Sequence, residues 1–324
     1  MNDTMRALVI DRTGGPDELR LADVPRPTRV LDEVLVRVIA VGVNPIDVKT
    51  RAGRGVSGAI ATWPAVLGFD FAGVVEQSPY AAHPLQPGDR VYGMGRVPRV
   101  AGSYAEYLAV TSLSVTPMPA SLGFVEAAAV PLAALTAWGA VFETARVGAG
   151  TRVLVHAGAG GVGHFAVQLA AHAGAEVTAT GSARNAEFLR SLGANRVIDY
   201  TRERFEHVAG EQDAVIDLVG NVADDTGTRS LDVLHPDGVL VNVPTGSWPT
   251  MGDEAAARGL RATGYVVEPD ARVLAEITRL IDTGAIRVHV ECELPLADGA
   301  EAHRLLESGH VRGKVVLRVA PDPR

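Results

Sequence analysis

The chain has 324 residues, more than one ordinary hydrophobic core holds, and this length suits two domains. Hydrophobic residues make up 47% and charged residues 21%, which is typical of a soluble globular protein and excludes a disordered one. The net charge of −8 argues against a nucleic-acid partner, and the single cysteine, Cys292, excludes a disulfide framework and a thiolate zinc site.

The region up to about residue 120 predicts short strands separated by turns. Four apolar or β-branched runs of strand length lie at residues 6–10, 34–38, 71–76 and 90–93. The last run is entered through Pro87, Gly88 and Asp89, which form a typical turn sequence. This pattern predicts an antiparallel, barrel-like β domain.

The most apolar stretch of the chain, residues 127–142, contains Pro131 and Gly139 and is too short to span a membrane. It favours a buried helix with an irregular start. The first residues, MNDTMRALVI, lack the basic and long apolar regions of a secretory signal. We therefore expect a cytoplasmic protein with no membrane partner.

From about Phe124 onward, strands and helices alternate. The predicted strands lie at 152–158, 176–181, 196–200, 213–220, 239–243 and 262–267, and the predicted helices at 162–173 and 184–192. Near-continuous apolar strands that alternate with helices predict an α/β fold with a parallel sheet covered on both faces. A helix at 271–283 and strands near 288–293 and 314–319 complete the chain.

Gly158, Gly160 and Gly163 form a G-x-G-x-x-G motif directly after a predicted strand and before a predicted helix. The first glycine permits a tight turn, the second lets the backbone approach a pyrophosphate, and the third allows the helix to pack on the strand. The N–H groups at the helix start then face the anion. The motif in this context predicts dinucleotide binding; the alternative is a packing turn without a ligand.

The tip of the second strand distinguishes NADPH from NADH. An NAD site usually has an acidic residue there to bind the ribose 2′-hydroxyl. This chain has Gly181, Ser182 and Arg184 instead, and a hydroxyl with a guanidinium suits a 2′-phosphate. The sequence therefore favours NADPH, although Ser182 could simply cap the next helix.

These segments together resemble the medium-chain dehydrogenase/reductase superfamily and, within it, the zinc-free quinone oxidoreductases of the zeta-crystallin-like branch. The resemblance covers essentially the whole chain. It rests on VGVNPIDVKTRAG at 41–53, LGFDFAGVVE at 67–76, PGDRVYG at 87–93, AAAVPLAALTAW at 127–138, VHAGAGGVG at 155–163 and SGHVRGKVVL at 308–317.

The resemblance implies two domains. One is a GroES-like, mostly antiparallel β-barrel catalytic domain over residues 1–124 and 268–324. The other is a Rossmann-type, doubly wound parallel sheet over residues 125–267 that binds NADPH. Relatives dimerise through an edge strand of this sheet, which corresponds to 262–267, so we expect a homodimer.

The resemblance also assigns residues to the cofactor and excludes a metal. The implied cofactor-binding residues are Thr136, Gly158, Gly160, Gly161, Val162, Gly163, Gly181, Ser182, Arg184, Tyr200, Val243, Pro244, Gly313 and Lys314. Asn44 and Phe69 stand where zinc alcohol dehydrogenases have a metal-binding cysteine and histidine, with Asp70 where they have glutamate. We therefore expect no metal site.

Hydride transfer to a quinone, an enone or an enal leaves negative charge on the acceptor oxygen, which a zinc-free site must stabilise with hydrogen-bond donors. Asn44 and Lys49 are the first catalytic candidates and Lys314 is the third, although Lys49 could equally be a surface cation paired with Asp47 or another acid. The proton donor and the substrate stay open. Tyr92, Tyr104 and Trp63 either line an acceptor pocket or pack in the core.

The leading hypothesis is therefore an NADPH-dependent quinone or enone oxidoreductase. The alternatives are an enoyl-thioester reductase and a non-catalytic NADPH-binding sensor or structural protein. A nucleophilic role for Cys292 is disfavoured, because Glu291 and Glu293 beside it raise the pKa of a thiol.

Overall fold

The computed structural model describes residues 3–222 and 224–323. The chain divides into unit 1, which comprises Met1–Leu135 and Glu268–Arg324, and unit 2, which comprises Thr136–Val267. The outermost bounds predicted for the first domain, residues 1 and 324, lie outside the described residues.

The first division between the units lies after Leu135, whereas the sequence placed it after residue 124. The reason is that the helical segment Phe124–Ala128 packs against strands of unit 1 and so belongs to that unit. The second division lies between Val267 and Glu268, at the position that the sequence indicated.

The described residues contain β-strands in both units. In chain order they are β1 Thr4–Ile10, β2 Arg20–Pro25, β3 Glu33–Val43, β4 Ala65–Val66, β5 Asp70–Gln77, β6 Arg90–Met94, β7 Tyr107–Thr111, β8 Val115–Pro117, β9 Arg152–Val155, β10 Glu176–Gly181, β11 Arg196–Asp199, β12 Gln212–Asp217, β13 Leu234–Asn242, β14 Arg261–Gly264, β15 Val290–Pro295 and β16 Lys314–Arg318.

The α-helices of the described residues are α1 Pro45–Arg51, α2 Phe124–Ala128, α3 Pro131–Trp138, α4 Gly163–His172, α5 Ala186–Ser191, α6 Phe205–Val208, α7 Thr226–Ser230, α8 Met251–Ala257, α9 Ala271–Asp282 and α10 Gly299–Glu307. A π-helical segment, Gly139–Thr144, follows α3. None of the helices in the described ranges has the length and apolar character needed to cross a membrane.

Unit 1 is built on two mainly antiparallel sheets. The larger has the order β15-β16-β3-β5-β6-β8, with β7 also paired to β3, and the smaller has the order β2-β1-β4. Strand β3 is buried over most of its length because it pairs with β5, β7 and β16. The antiparallel expectation is confirmed apart from the parallel pair β15–β16; closure into a barrel stays a prediction.

Unit 2 has one parallel sheet in the order β11-β10-β9-β12-β13-β14. Numbered from β9, this is the order 3-2-1-4-5-6 of a dinucleotide-binding sheet. The strand order reverses between β9 and β12, and the carboxyl ends of the strands at such a point form a ligand-binding crevice. The α/β prediction is confirmed.

Several elements of unit 2 are shorter than their apolar runs suggested. Strand β9 ends at Val155 rather than residue 158, because the glycine loop follows at once. Strand β14 ends at Gly264, and α5 is preceded by a 3-10 turn, Ala183–Asn185. Gly193 adopts φ +104 directly beyond α5, as the predicted helix end requires.

Candidate active site

The glycine loop joins β9 to α4, and its motif glycines differ in the space that surrounds each of them. A Cβ at Gly163 would lie 2.2 Å from the Ala157 carbonyl oxygen, so the helix packs directly on the loop. A Cβ at Gly158 would lie 3.0 Å from Ala179 and Leu189. At Gly160 the nearest atom, the Ala157 oxygen, is 3.3 Å away, so this position is otherwise open.

A buried histidine of the loop supports its conformation. Ala157 has φ 49, which is unfavourable for a residue with a side chain, and its N–H donates to Thr180 Oγ1 at 3.1 Å. His156 contacts the same Thr180 hydroxyl through Nδ1 at 3.2 Å and Ser230 through Nε2 at 2.9 Å. Burial lowers the pKa of His156 to about 4, so it is neutral near pH 7 and has a structural role.

The residues assigned to the 2′-phosphate lie together at the end of β10 and beyond β11. Gly181 is the last residue of β10, Ser182 and Arg184 follow it, and Tyr200 comes directly after β11 with 58% of its surface exposed. Arg184 is also exposed. This arrangement leaves a guanidinium, a hydroxyl and an aromatic ring on one edge of the sheet.

Sequence reasoning missed one acid at this edge. Asp199 pairs in register with Gly181, and its carboxylate accepts hydrogen bonds from the Thr201 N–H at 3.0 Å and the Thr201 hydroxyl at 2.7 Å. The Thr201 hydroxyl is the main cause that lowers the pKa of Asp199. Asp199 and Gly181 are 18 positions apart in the sequence, so only the pairing of β10 with β11 shows that they are neighbours.

Val243 and Pro244 follow β13 directly, where they extend the carboxyl edge of the sheet. Two neighbouring buried residues were not predicted. Asp217, at the end of β12, accepts a hydrogen bond from Asn242 Nδ2 at 2.8 Å and from the Gly220 N–H at 2.8 Å. These hydrogen bonds of Asp217 and Asn242 organise the loops that follow β12 and β13.

Thr136 lies in α3 with 3% of its surface exposed, in unit 2. In unit 1, Gly313 has φ +65, and a Cβ there would lie 2.2 Å from the His289 carbonyl oxygen. This close approach explains why residue 313 is a glycine. The backbone N–H of the next residue, Lys314, donates a hydrogen bond to the same His289 carbonyl oxygen at 3.0 Å.

Asn44, Asp70 and Lys314 form a buried polar cluster in unit 1, where β3, β5 and β16 run side by side. Asn44 Nδ2 donates to Asp70 Oδ2 at 2.9 Å, and Lys314 Nζ donates to the same oxygen at 3.2 Å and to Asn44 Oδ1. Asp70 Oδ1 accepts the Leu132 N–H at 2.7 Å. Burial raises the pKa of Asp70, while Lys314 and the other donors act in the opposite direction.

A second buried group lies next to Asn44. Asp47 Oδ2 accepts the Asn44 backbone N–H at 2.8 Å and the Tyr104 hydroxyl at 3.1 Å, and that hydroxyl contacts His303 at 3.3 Å. Burial raises the pKa of Asp47 to about 7 and lowers that of His303 to about 3. Asp47 is therefore not the ion-pair partner of Lys49 that the sequence allowed.

Lys49 is half-buried on α1, and it does not join this cluster. Burial lowers its pKa, and the charged neighbour that contributes is Arg54 rather than an acid. Five residues separate Lys49 from Asn44, which corresponds to about 140° around a helix axis. In the described part of the chain the structure brings Lys314, rather than Lys49, to Asn44.

Of the three aromatic candidates, two are buried and one is exposed. Tyr92 and Tyr104 are completely buried, and the Tyr92 hydroxyl contacts the Leu274 carbonyl oxygen at 3.1 Å and Thr278 at 2.7 Å. They belong to the core. Trp63 has 47% of its surface exposed. Burial, followed by Glu291, raises the pKa of the Cys292 thiol, which argues against a nucleophile.

The sheet order and glycine loop of unit 2 define a dinucleotide-binding fold. Comparison with known proteins specifies it further. A family model described as "Alcohol dehydrogenase GroES-like domain" matches residues 31–120, and one described as "Zinc-binding dehydrogenase" matches residues 192–317.

Individual relatives match over nearly the whole chain. The chloroplastic NADPH-dependent alkenal/one oxidoreductase of Arabidopsis thaliana is 34% identical over 98% of this chain and 80% of its own length. The quinone oxidoreductase of Coxiella burnetii is 38% identical, with a TM-score of 0.92 over 98% of this chain and 99% of that one. The Escherichia coli quinone oxidoreductase in complex with NADPH is 27% identical, with a TM-score of 0.85 over 97% of this chain and 100% of that one. The chain belongs to the medium-chain dehydrogenase/reductase superfamily, in its quinone oxidoreductase branch.

The description of one family model raises the question of a zinc ion, and the residues do not fit one. In residues 3–222 and 224–323, no group of three or more His, Cys, Asp or Glu side chains is placed to hold a metal. Phe69, at the position of a ligand histidine, is buried and has no ligand atom. Asp70 is engaged by Lys314 and Asn44 instead.

Proposed function

We propose that the protein is an NADPH-dependent oxidoreductase that reduces quinones or α,β-unsaturated carbonyl compounds, and that it does so without zinc. The observation that carries this proposal is the glycine loop at the point where the strand order of the unit 2 sheet reverses. The named activities of the Arabidopsis and Coxiella relatives support the acceptor class.

The residues of unit 2 fit the cofactor. The open position at Gly160 lets the backbone of the loop approach a pyrophosphate, which would then lie at the amino end of α4. Ser182, Arg184 and Tyr200 supply a hydroxyl, a cation and a ring for the 2′-phosphate end. When bound, NADPH supplies the hydride.

A single methyl group at Gly160 tests cofactor binding with little effect on the fold. Gly160→Ala places a Cβ where only the Ala157 oxygen is near, so thermal stability should change little. We expect the methyl to obstruct the pyrophosphate and weaken NADPH binding by about tenfold or more in calorimetry. Gly148→Ala is the matched control, because a Cβ there has no atom within 4 Å.

The substrate class is tested with the wild-type protein and a panel of quinones, enals, enones and enoyl-thioesters. Saturable NADPH oxidation with quinones or enones supports the proposal. A strong preference for enoyl-thioesters would favour the reductase alternative. Tight NADPH binding without turnover on the whole panel would favour a sensor or structural protein.

We also propose a homodimer through β14, the last strand at one edge of the unit 2 sheet. An unpaired edge strand is prone to association, and Val266, just beyond it, is 57% exposed. Sedimentation should give a dimer for the wild type and a monomer for Val266→Lys. A monomeric wild type would contradict this part of the proposal.

A further inference from the structure

Both N–H groups of the buried Asn44 amide are directed at oxygen atoms of the protein. Its two N–H groups face Asp70 Oδ2 at 2.9 Å and the Gly42 carbonyl oxygen at 3.5 Å. Its oxygen accepts a hydrogen bond from Lys314 Nζ. The amide cannot be flipped, because its N–H groups would then face the ammonium and its oxygen the carboxylate.

Unlike the Asn44 amide, the Lys314 ammonium has one N–H group that is not directed at an oxygen of the described residues. It carries three N–H groups, and two of them go to Asn44 Oδ1 and Asp70 Oδ2. Among the described residues the third has no acceptor. Only 3% of the Lys314 side chain is exposed, so bulk water does not solvate this ammonium.

The charge of Lys314 is fixed in place by its partners. Asp70 is completely buried and receives hydrogen bonds from three donors, which holds its carboxylate in one orientation. A Cβ at Gly42 would lie 2.8 Å from Asp70 Oδ2, so the glycine makes room for the carboxylate. A buried ion pair of this kind is retained only with such extra hydrogen bonds.

We propose that Lys314, held by Asn44 and Asp70, is the catalytic residue that donates a hydrogen bond and then a proton to the acceptor oxygen. This inference rests on the proposed function. Asn44, one of the first two catalytic candidates from the sequence, becomes a positioning residue. Lys314, the third candidate, becomes the donor.

The step balances for an enone. The hydride brings two electrons to the β-carbon, the carbon–carbon π pair shifts, and negative charge accumulates on the oxygen. An N–H bond of Lys314 breaks as the O–H bond forms, which gives an enol and a neutral amine. The enol then becomes the saturated ketone, and a proton from water restores the ammonium.

The competing donor can be tested beside Lys314, because Lys49 and Lys314 are the only lysines of the sequence. We compare Lys314→Met and Lys49→Met by NADPH calorimetry and by the single-turnover rate of NADPH oxidation. Loss of one oriented oxyanion donor lowers turnover by about 100-fold to 1,000-fold. We expect that loss for Lys314→Met with nearly unchanged NADPH affinity; the same loss for Lys49→Met, with a wild-type rate for Lys314→Met, would assign the donor role to Lys49 and overturn the inference.

Two results would overturn the inference. One is a Lys314→Met protein that retains the wild-type rate. The other is a loss that appears as an equal loss of NADPH affinity, which would make Lys314 a cofactor ligand, as the family resemblance implies. If the wild type oxidises no NADPH with any acceptor, it is the proposed function that fails, so the two failures are distinguishable.

Removing Lys314 leaves the Asp70 carboxylate buried without its cation, and such a protein can fail to fold. Lys314→Met combined with Asp70→Asn removes both charges and should restore folding but not turnover. The wild type offers a second test. Protein labelled with carbon-13 at the lysine ε-carbon gives two NMR signals, assigned with Lys49→Arg. A phenolate that mimics the reduced acceptor, added with NADP⁺, should shift the Lys314 signal alone, and an unshifted Lys314 signal would overturn the inference.

Discussion

Asp47→Asn should change how the stability of the protein depends on pH, because the wild-type carboxyl is completely buried. Its Oδ2 has two hydrogen-bond donors, the Asn44 N–H and the Tyr104 hydroxyl, while its Oδ1 has none among the described residues. Desolvation therefore dominates and raises the pKa from 3.8 to about 7.

The sign follows from proton binding. Between pH 3.8 and about 7 the folded protein holds a proton on Asp47 that the unfolded chain has lost. The contribution of the neutral carboxyl is fully present below pH 3.8 and is lost as the pH rises through about 7. A difference of about three pKa units corresponds to about 4 kcal/mol.

Asn is neutral at every pH, so the comparison of the two proteins isolates this group. Urea unfolding of both proteins at several pH values between about 4 and 8 gives the difference in their free energies of unfolding. We expect the wild type to lose about 4 kcal/mol relative to Asp47→Asn across that range. A difference that stays constant with pH would refute the argument that burial controls this carboxyl.

Three further predictions concern unit 2 and the metal. Arg184→Ala should raise the KM for NADPH by about tenfold while leaving that for NADH nearly unchanged, since only NADPH carries the 2′-phosphate; equal changes for both nucleotides would contradict the assignment. His156→Gln should abolish a loss of stability that the wild type shows as the pH falls from 6.5 toward about 4, because burial lowers the pKa of this histidine and only the unfolded chain takes up the proton; unfolding curves at each pH measure it. A chelator should leave turnover unchanged and elemental analysis should find no stoichiometric zinc, since the ligand positions hold Asn44 and Phe69; parallel loss of zinc and activity would refute this.

The α/β region could be predicted from local sequence because its strands are buried on both faces. Runs such as residues 153–155 and 214–216 are continuous and apolar, and a glycine motif marks the turn between the first strand and its helix. The short helices were harder to see. Helix α6 has only four residues and α7 five, too few for a helical period to repeat in the sequence.

The start of helix α1 carries a signal in the local sequence. Asn44 precedes Pro45, which suits the first helical position, and Asp47 follows at the place where a carboxylate can accept the N-cap N–H. The pattern predicts a helix start in that segment, and the structure has one.

The polar cluster could not be derived from local patterns. Asp70 and Lys314 are 244 positions apart and meet only because β3 lies between β5 and β16 in one sheet. Sequence reasoning gave Asn44 and Lys314 as two independent donor candidates, and only the hydrogen-bond partners of the amide connect them. Long-range strand pairing also placed Asp199 beside Gly181.

The most direct test of the central claim follows the hydride itself. Purified protein is mixed with an enal and with NADPH carrying deuterium on its transferable nicotinamide position, and the product is examined by mass spectrometry and NMR. The account predicts oxidised cofactor and a saturated aldehyde with deuterium on the β-carbon. Intact NADPH with unchanged enal, and no reaction when a quinone replaces it, would contradict the account.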